Sequence, residues 1–445
     1  MDYVSDMGSP SETAFEADEL YRSDDVVVRR VPAGPANRWI VTFDHYAIGH
    51  GFDRPGFGEA YFRSRGISAI HVMGRAEDWY QYPDMAAALA TVRAATAGAE
   101  RVVTYGSSMG GYAALRFADA VGATDILALS PQYTIDLKAA PQELRWTQDA
   151  KRIRWRPEFG GPIISSARAV VVFDPTGPDQ WHGERIERDL GCRAIRLHHS
   201  AHPVTTYLSE VGLLAPLIDD VLEGVFDPRA FRREARRRRV GNGIYLGELA
   251  AAQPPRRSSL ALGLAQRALD VSPGNYHARI SLARLLSREG RHDEALSIID
   301  RVVQESGRGL TYVVDYGSAL MLAGRMAEAR VIADEALSRT QDVAHLHAWA
   351  AHISWLNHDR RNARRLIRRA LMLDPGNTPY LRALLDYTFG APLETGHRGV
   401  RTTPWLRFAR WVMKGPLRPD ATEPTARTPF FFRGSRNDPA SGGTG

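Results

Sequence analysis

One cysteine, Cys192, is all the thiol chemistry in 445 residues. Neither an internal disulfide nor a cysteine-based metal site can be built from it. Its setting, Leu190-Gly191-Cys192-Arg193-Ala194, reads as a loop entering a strand and suits a buried, inert thiol. Long apolar runs are missing too, and none approaches the ~20 residues that span a bilayer. The N-terminus carries Asp2, Asp6, Glu12, Glu16, Asp18 and Glu19. It lacks the basic start and apolar core of a signal peptide, so a cytoplasmic protein is the default expectation. Aromatic residues are scarce where the chain is most basic. Only Phe231 lies among Arg229, Arg232, Arg233 and Arg236 to Arg239. That leaves no stacking platform for bases, and nucleic acid is not expected as a partner. The run reads as a solvated helical linker, the alternative being contact with an acidic partner or a membrane surface.

The chain is long enough for two or three domains. Between 25 and 224, short β-rich runs recur: Asp25–Val31, Arg38–Phe43, Ile67–Val72, Arg101–Tyr105, Asp125–Leu129, Ala169–Phe173 and Cys192–Leu197. Most are continuously apolar, as strands buried on both faces are. Helical patterns at Met85–Ala97, Gly110–Val121, Asp179–Leu190 and Thr205–Leu222 alternate with them. The alternation predicts an α/β domain with a mainly parallel sheet. In such sheets chemistry collects beyond the carboxyl ends of the strands.

Three strand ends carry reactive residues in order. Gly106-Ser107-Ser108-Met109-Gly110-Gly111 follows one strand, Asp174-Pro175-Thr176-Gly177-Pro178-Asp179 the next, and His198-His199-Ser200-Ala201-His202 a third. A serine hydroxyl is a poor nucleophile until a nearby base accepts its proton, and a histidine held by a carboxylate is such a base. On these residues, segment 25–224 resembles the α/β-hydrolases, whose Gly-x-Ser-x-Gly elbow precedes an acid and then a histidine. The resemblance implies Ser108 as nucleophile, His202 as base and Asp179 as acid, with Asp174 the alternative acid and His199 a rival base. It implies an oxyanion hole from the Met109 amide and from His45 or Tyr46 in the loop after Arg38–Phe43, where the lipase-type His-Gly-Gly sequence is absent. The implied activity is a serine esterase or thioesterase acting on a small-molecule or carrier-bound acyl ester, with no cofactor or metal. An acyltransferase with the same triad, or an inactive scaffold, remains open. Between the strands at 129 and 169, Tyr133, Trp146, Trp155 and Phe159 accompany Lys138, Arg145, Lys151, Arg152, Arg154 and Arg156. This segment reads as a cap that receives a polar or anionic acyl group, or as a solvated basic helix. Trp79-Tyr80-Gln81-Tyr82 lines the same pocket or belongs to the core.

The second half repeats itself. Arg267-Ala268-Leu269-Asp270 returns as Arg369-Ala370-Leu371-Met372, and after two further residues each copy continues with Pro-Gly-Asn. The offset is three times 34. Gly290-Arg291-His292-Asp293-Glu294-Ala295 returns at Gly324 to Ala329. Small residues fall in register at Ala283, Gly317 and Ala351, and at Ala268, Ala336 and Ala370, with Val302 breaking the second series. The pattern resembles tetratricopeptide (TPR) repeats and implies an all-α solenoid that takes a protein or peptide partner. The expected layout is an acidic tail over 1–24, the hydrolase domain over 25–224, an Arg-rich linker over 225–255, repeats with a capping helix over 256–390, and a mostly disordered tail over 391–445. His345, His347, His352 and His358 in the third repeat read as satisfied or exposed side chains. In the tail, Pro404–Lys414 sets Trp405, Phe408 and Val412 on one helical face, which favours docking on the repeats over an anionic membrane.

Overall fold

The computed structural model describes residues 17–389, apart from 47, 50 and 144. The tail over 391–445, its Pro404–Lys414 island and the first sixteen residues lie outside the described residues. Eight strands form one sheet: β1 (Asp18–Arg22), β2 (Val26–Val31), β3 (Arg38–Phe43), β4 (Ala69–Gly74), β5 (Arg101–Ser107), β6 (Asp125–Leu129), β7 (Arg168–Phe173) and β8 (Ile195–Arg196). Their order is β1-β2-β4-β3-β5-β6-β7-β8. The sheet is mixed. Strands β4, β3, β5, β6, β7 and β8 run parallel, and β2 lies antiparallel to both β1 and β4.

Both faces of the sheet are covered, which explains the unbroken apolar strands. From β3, Trp39, Val41 and Phe43 pack with Met85, Leu89 and Tyr112 on one side. Ile40 joins Phe62, Leu208 and Leu217 on the other. The strand β1, with sequence Asp-Glu-Leu-Tyr-Arg, lies within the segment read as an acidic tail. It sits at the sheet edge with its residues exposed or half-buried, so hydrophobic patterning gives no sign of it. The helix expected over Thr205–Leu222 is two helices, Val204–Glu210 and Leu214–Glu223. Gly212 stands between them at φ 66°, a conformation that glycine adopts without strain. Cys192 is half-buried, and burial pushes its thiol pKa up, which keeps it in the unreactive protonated form.

The arginine-rich stretch is more than a solvated linker. It forms the helices Pro228–Arg238 and Gly243–Ala251. Phe231, Ala235 and Ile244 pack into the core beneath the sheet, while Ala250 packs among the following helices. From Ser258 to Phe389 the chain is helical hairpins: Ser258–Val271, Tyr276–Arg288, His292–Glu305, Leu310–Leu322, Met326–Arg339, Ala344–Leu356, Arg360–Leu373 and Thr378–Phe389. The in-register small residues sit where these helices cross. Ala268, Ala283, Ala336, Ala351 and Ala370 are fully buried. A Cβ on Gly317 would stand 2.6 Å from the Trp349 ring. Polar bonds tie this array to the sheet region. Glu210 accepts from Asn242 at 2.8 Å and from Asn275 at 3.3 Å, and Lys151 pairs with Asp374. No helix among the described residues is long and apolar enough to cross a membrane.

Candidate active site

The turn after β5 is built by glycines. A Cβ on Gly106 would lie 2.1 Å from the Gly110 carbonyl oxygen, and one on Gly110 would lie 2.4 Å from the Phe43 carbonyl oxygen. Strand end, helix start and the neighbouring strand β3 therefore touch through backbone alone. Ser108 sits at the apex with φ 54° and ψ −116°, a backbone conformation that costs a non-glycine residue about 1–3 kcal/mol. It is held there because its N–H donates to the Leu129 carbonyl at 2.9 Å and the helix Met109–Arg116 begins at the next residue. Gly110→Ala should lower the unfolding midpoint through about 1–3 kcal/mol of overpacking, because the clash is with backbone that has nowhere to move. Thermal unfolding measures this, and an unchanged midpoint would contradict the tight contact.

The sheet brings the serine, the histidine and one of the two aspartates together. Ser108 Oγ lies 3.0 Å from His202 Nε2, and His202 Nδ1 lies 2.7 Å from Asp179 Oδ2. Asp179 opens the helix Asp179–Leu190 that follows β7, and its side chain is only 1% exposed. Burial alone would raise its carboxyl pKa. His202 and Arg145 outweigh that and hold it well below the usual carboxylate range. Asp174 has a different task. Its carboxylate accepts from the backbone N–H of Thr176 at 2.8 Å, His199 at 3.1 Å and Ala201 at 2.9 Å. It thus braces the loop that carries His202. His199 stands at φ 62° and its ring meets Tyr245 edge-on at 6.0 Å.

Residues that sequence reasoning did not assign complete the arrangement. Gln132 Nε2 donates to Ser108 Oγ at 2.9 Å, and its Oε1 accepts from Trp79 Nε1 at 3.4 Å. The indole donor fixes which end of the amide faces the serine. Since Oγ accepts from Gln132, its own hydrogen is directed to His202. Gln132 stands three residues past the end of β6, at the same sheet edge as the other three residues. That position was its one signal in the sequence.

Arg145 lies behind Asp179. Its Nη1 donates to Asp179 Oδ1 at 2.8 Å, and its Nε reaches Glu143 Oε1 at 2.9 Å. Both side chains of the Arg145–Glu143 pair are almost fully buried. His182 Nε2 lies 2.7 Å from Glu143, and His182 Nδ1 accepts from the Tyr133 N–H at 3.0 Å. With Nδ1 accepting, Nε2 carries the hydrogen and donates to Glu143. Burial favours this neutral imidazole. The result is one buried polar chain from Ser108 to Tyr133.

The sequence leaves the basic residues of the segment after β6 either facing an anionic substrate or forming a solvated face. Most of them are engaged within the protein. Arg145 serves Asp179 and Glu143, Lys151 pairs with Asp374, Arg152 with Asp149, and Arg156 with Glu158. Of the aromatics of that segment, Trp146 reaches the site region, while Phe159 packs on Phe117 and Tyr133 on Trp181. Trp146 packs on Tyr46 at 4.4 Å and on Trp79 at 5.5 Å. Tyr80 and Tyr82 belong to the core. In the loop after β3, the His45 ring meets Phe57 edge-on at 5.3 Å, and Tyr46 lies under the two tryptophans. Met109, the residue after Ser108, is buried.

Residues 258–308 match the family model described as tetratricopeptide repeat. Helix pairs continue at the same period to residue 389, so the C-terminal helical region is a solenoid of this type. Among solved structures, the chain is similar to TTC0263, a thermophilic TPR protein of Thermus thermophilus, at 24% identity. That likeness covers 33% of this chain and 78% of the other, with a TM-score of 0.27. It is similar to YrrB, a TPR protein with an unusual peptide-binding site, at 17% identity over 40% and 89% of the two chains, TM-score 0.30. MamA of Desulfovibrio magneticus RS-1 is similar at 13% identity over 32% and 84%, TM-score 0.28. No curated protein matches the chain.

Proposed function

We propose that the sheet region is a serine hydrolase of α/β-hydrolase type, cleaving acyl esters or thioesters through Ser108, His202 and Asp179. The observation that carries this reading is the hydrogen-bonded line from Ser108 through His202 to Asp179, at 3.0 and 2.7 Å. An inactive scaffold has no reason to keep these three side chains in proton-transfer register on a strained turn. His202 takes the Ser108 proton as Oγ attacks the ester carbonyl. The tetrahedral oxyanion is held by the Met109 N–H and by a backbone donor at His45 or Tyr46. His202 then returns the proton to the departing alcohol or thiol, which leaves an acyl group on Ser108. Water, activated by the same imidazole, releases the acid. Asp179 keeps the imidazole oriented and stabilises its charged form. The solenoid supplies a surface for a protein or peptide partner that brings this site to its substrate.

A fluorophosphonate probe tests the reading directly. Intact-mass and peptide analysis should place one adduct on Ser108, and Ser108→Ala should take none while unfolding at the same temperature. Unmodified wild-type protein after prolonged exposure would sink the proposal.

A further inference from the structure

The arginines of the helix Pro228–Arg238 do not all face open solvent. Between this helix and the end of β8 lies a cavity of about 280 Å³. Five arginines line it: Arg193 and Arg196 from the β8 side, and Arg232, Arg236 and Arg239 from the helix and its exit. No carboxylate is among the lining residues. One of the five is neutralised at close range, since Glu187 holds Arg196. Neither Arg193 nor Arg236 has an acidic partner among the described residues. Arg232 is tethered by a bond from Nη2 to the Ala194 carbonyl at 3.2 Å. Arg239 lies over the Tyr245 ring at 5.1 Å, and its buried Nε has no hydrogen-bond partner. Burial, and then the positive charges of Arg193, Arg196 and Arg236, lower the pKa of Arg232, and the attraction of Glu187 offsets only part of this.

Five like charges brought together with one nearby acid, Glu187, repel, and the repulsion grows where water is partly excluded. A multiply charged anion removes it. Guanidinium forks match the oxygens of phosphate in both geometry and charge. The shape narrows the choice of ligand. Leu197, Tyr207 and Ala235 wall the cavity, and its volume is at the small end of the range for metabolite sites. A nucleic acid or a membrane needs an extended basic face, and here the charges converge on a concavity. We propose that this cavity binds a small phosphate-bearing ligand with two or more negative charges, gripped by Arg193, Arg232, Arg236 and Arg239. The site is separate from the Ser108 chemistry and does not depend on it.

Inorganic pyrophosphate is the probe, added to the full-length protein. Titration calorimetry should show one saturable site, and thermal unfolding should shift upward with ligand. The double variant Arg193→Gln/Arg236→Gln changes two exposed side chains outside the core. It should weaken pyrophosphate binding by about tenfold or more. Without ligand it should unfold at the same or a higher temperature than wild type, because two repelling charges are gone. Equal affinity in wild type and the variant would overturn the proposal. So would absence of pyrophosphate binding while phosphatidylglycerol vesicles or duplex DNA bind, since that pattern assigns the arginines to an extended surface.

Discussion

Asp179→Asn should slow turnover of an activated ester such as p-nitrophenyl acetate by about 10³–10⁴-fold. Asp174→Asn should slow it by less than about tenfold, within the loss expected from loosening a supporting hydrogen bond. The two aspartates are five residues apart, one just past the end of β7 and one opening the next helix, and they do different things. Asp179 faces His202 Nδ1 at 2.7 Å, and an amide there can present its NH2 and stabilise the wrong imidazole tautomer. Asp174 faces three backbone N–H groups, and the carbonyl end of an asparagine still accepts from them. Steady-state kinetics, with fluorophosphonate labelling rates as a second readout, separate the two. Equal losses in both variants would mean that Asp179 does not act through His202.

Arg145→Met should destabilise the protein by about 3–5 kcal/mol, read as a lower urea midpoint with an unchanged slope. The reason is the company Arg145 keeps. Asp179 and Glu143 are both buried, and the guanidinium is the positive charge between them. Removing it leaves two carboxylates without counter-charge. Arg145→Met/Glu143→Gln should recover part of the loss, because one of the two stranded charges is gone. Acid sharpens the test. Burial works to raise the Glu143 carboxyl, but bonds from His182 and Arg145 bring it down to about 2. The folded pKa is therefore below the unfolded one. Its contribution to stability is complete above about pH 4.5 and is lost as pH falls towards 2. Glu143→Gln should flatten the fall of the urea midpoint across that window. A wild-type and a variant curve of the same slope would show that Glu143 is not held ionised in the fold.

What could be read in advance divides along a physical line. Strands such as β3 and β6 announce themselves because burial on both faces demands unbroken apolar residues. The helix repeat announces itself because close crossings demand small residues at fixed spacing. Ser108, His202 and an aspartate from the Asp174–Asp179 loop could be proposed because each comes from the chain that follows a strand end, and the open edge of a parallel sheet is where such residues converge. The edge strand β1 has none of these constraints. Its side chains are exposed or half-buried, so acidic residues are tolerated and mask it. Arg145 and Glu143 come from irregular chain 34 and 36 residues before Asp179, and no periodicity marks them. Gln132 is a neutral amide at the start of the long connection after β6, a residue type that sequence alone leaves unassigned. The choice between Asp174 and Asp179 was open for the same reason. Which of two nearby carboxylates meets an imidazole is decided by the loop's path, and composition does not encode that path.

The ion pair between Lys151 and Asp374 has one more consequence. Lys151 stands in the helix Thr147–Arg152, which follows directly on Trp146, and Trp146 lies on the Tyr46 and Trp79 rings next to Gln132 and Ser108. Asp374 closes the last hairpin of the solenoid. The Lys151 side chain is 37% exposed but that of Asp374 only 5%, so breaking the pair leaves a largely buried carboxylate without its counter-charge. The pair therefore joins the helix beside the Ser108 site directly to the solenoid, so a change at either end is felt at the other.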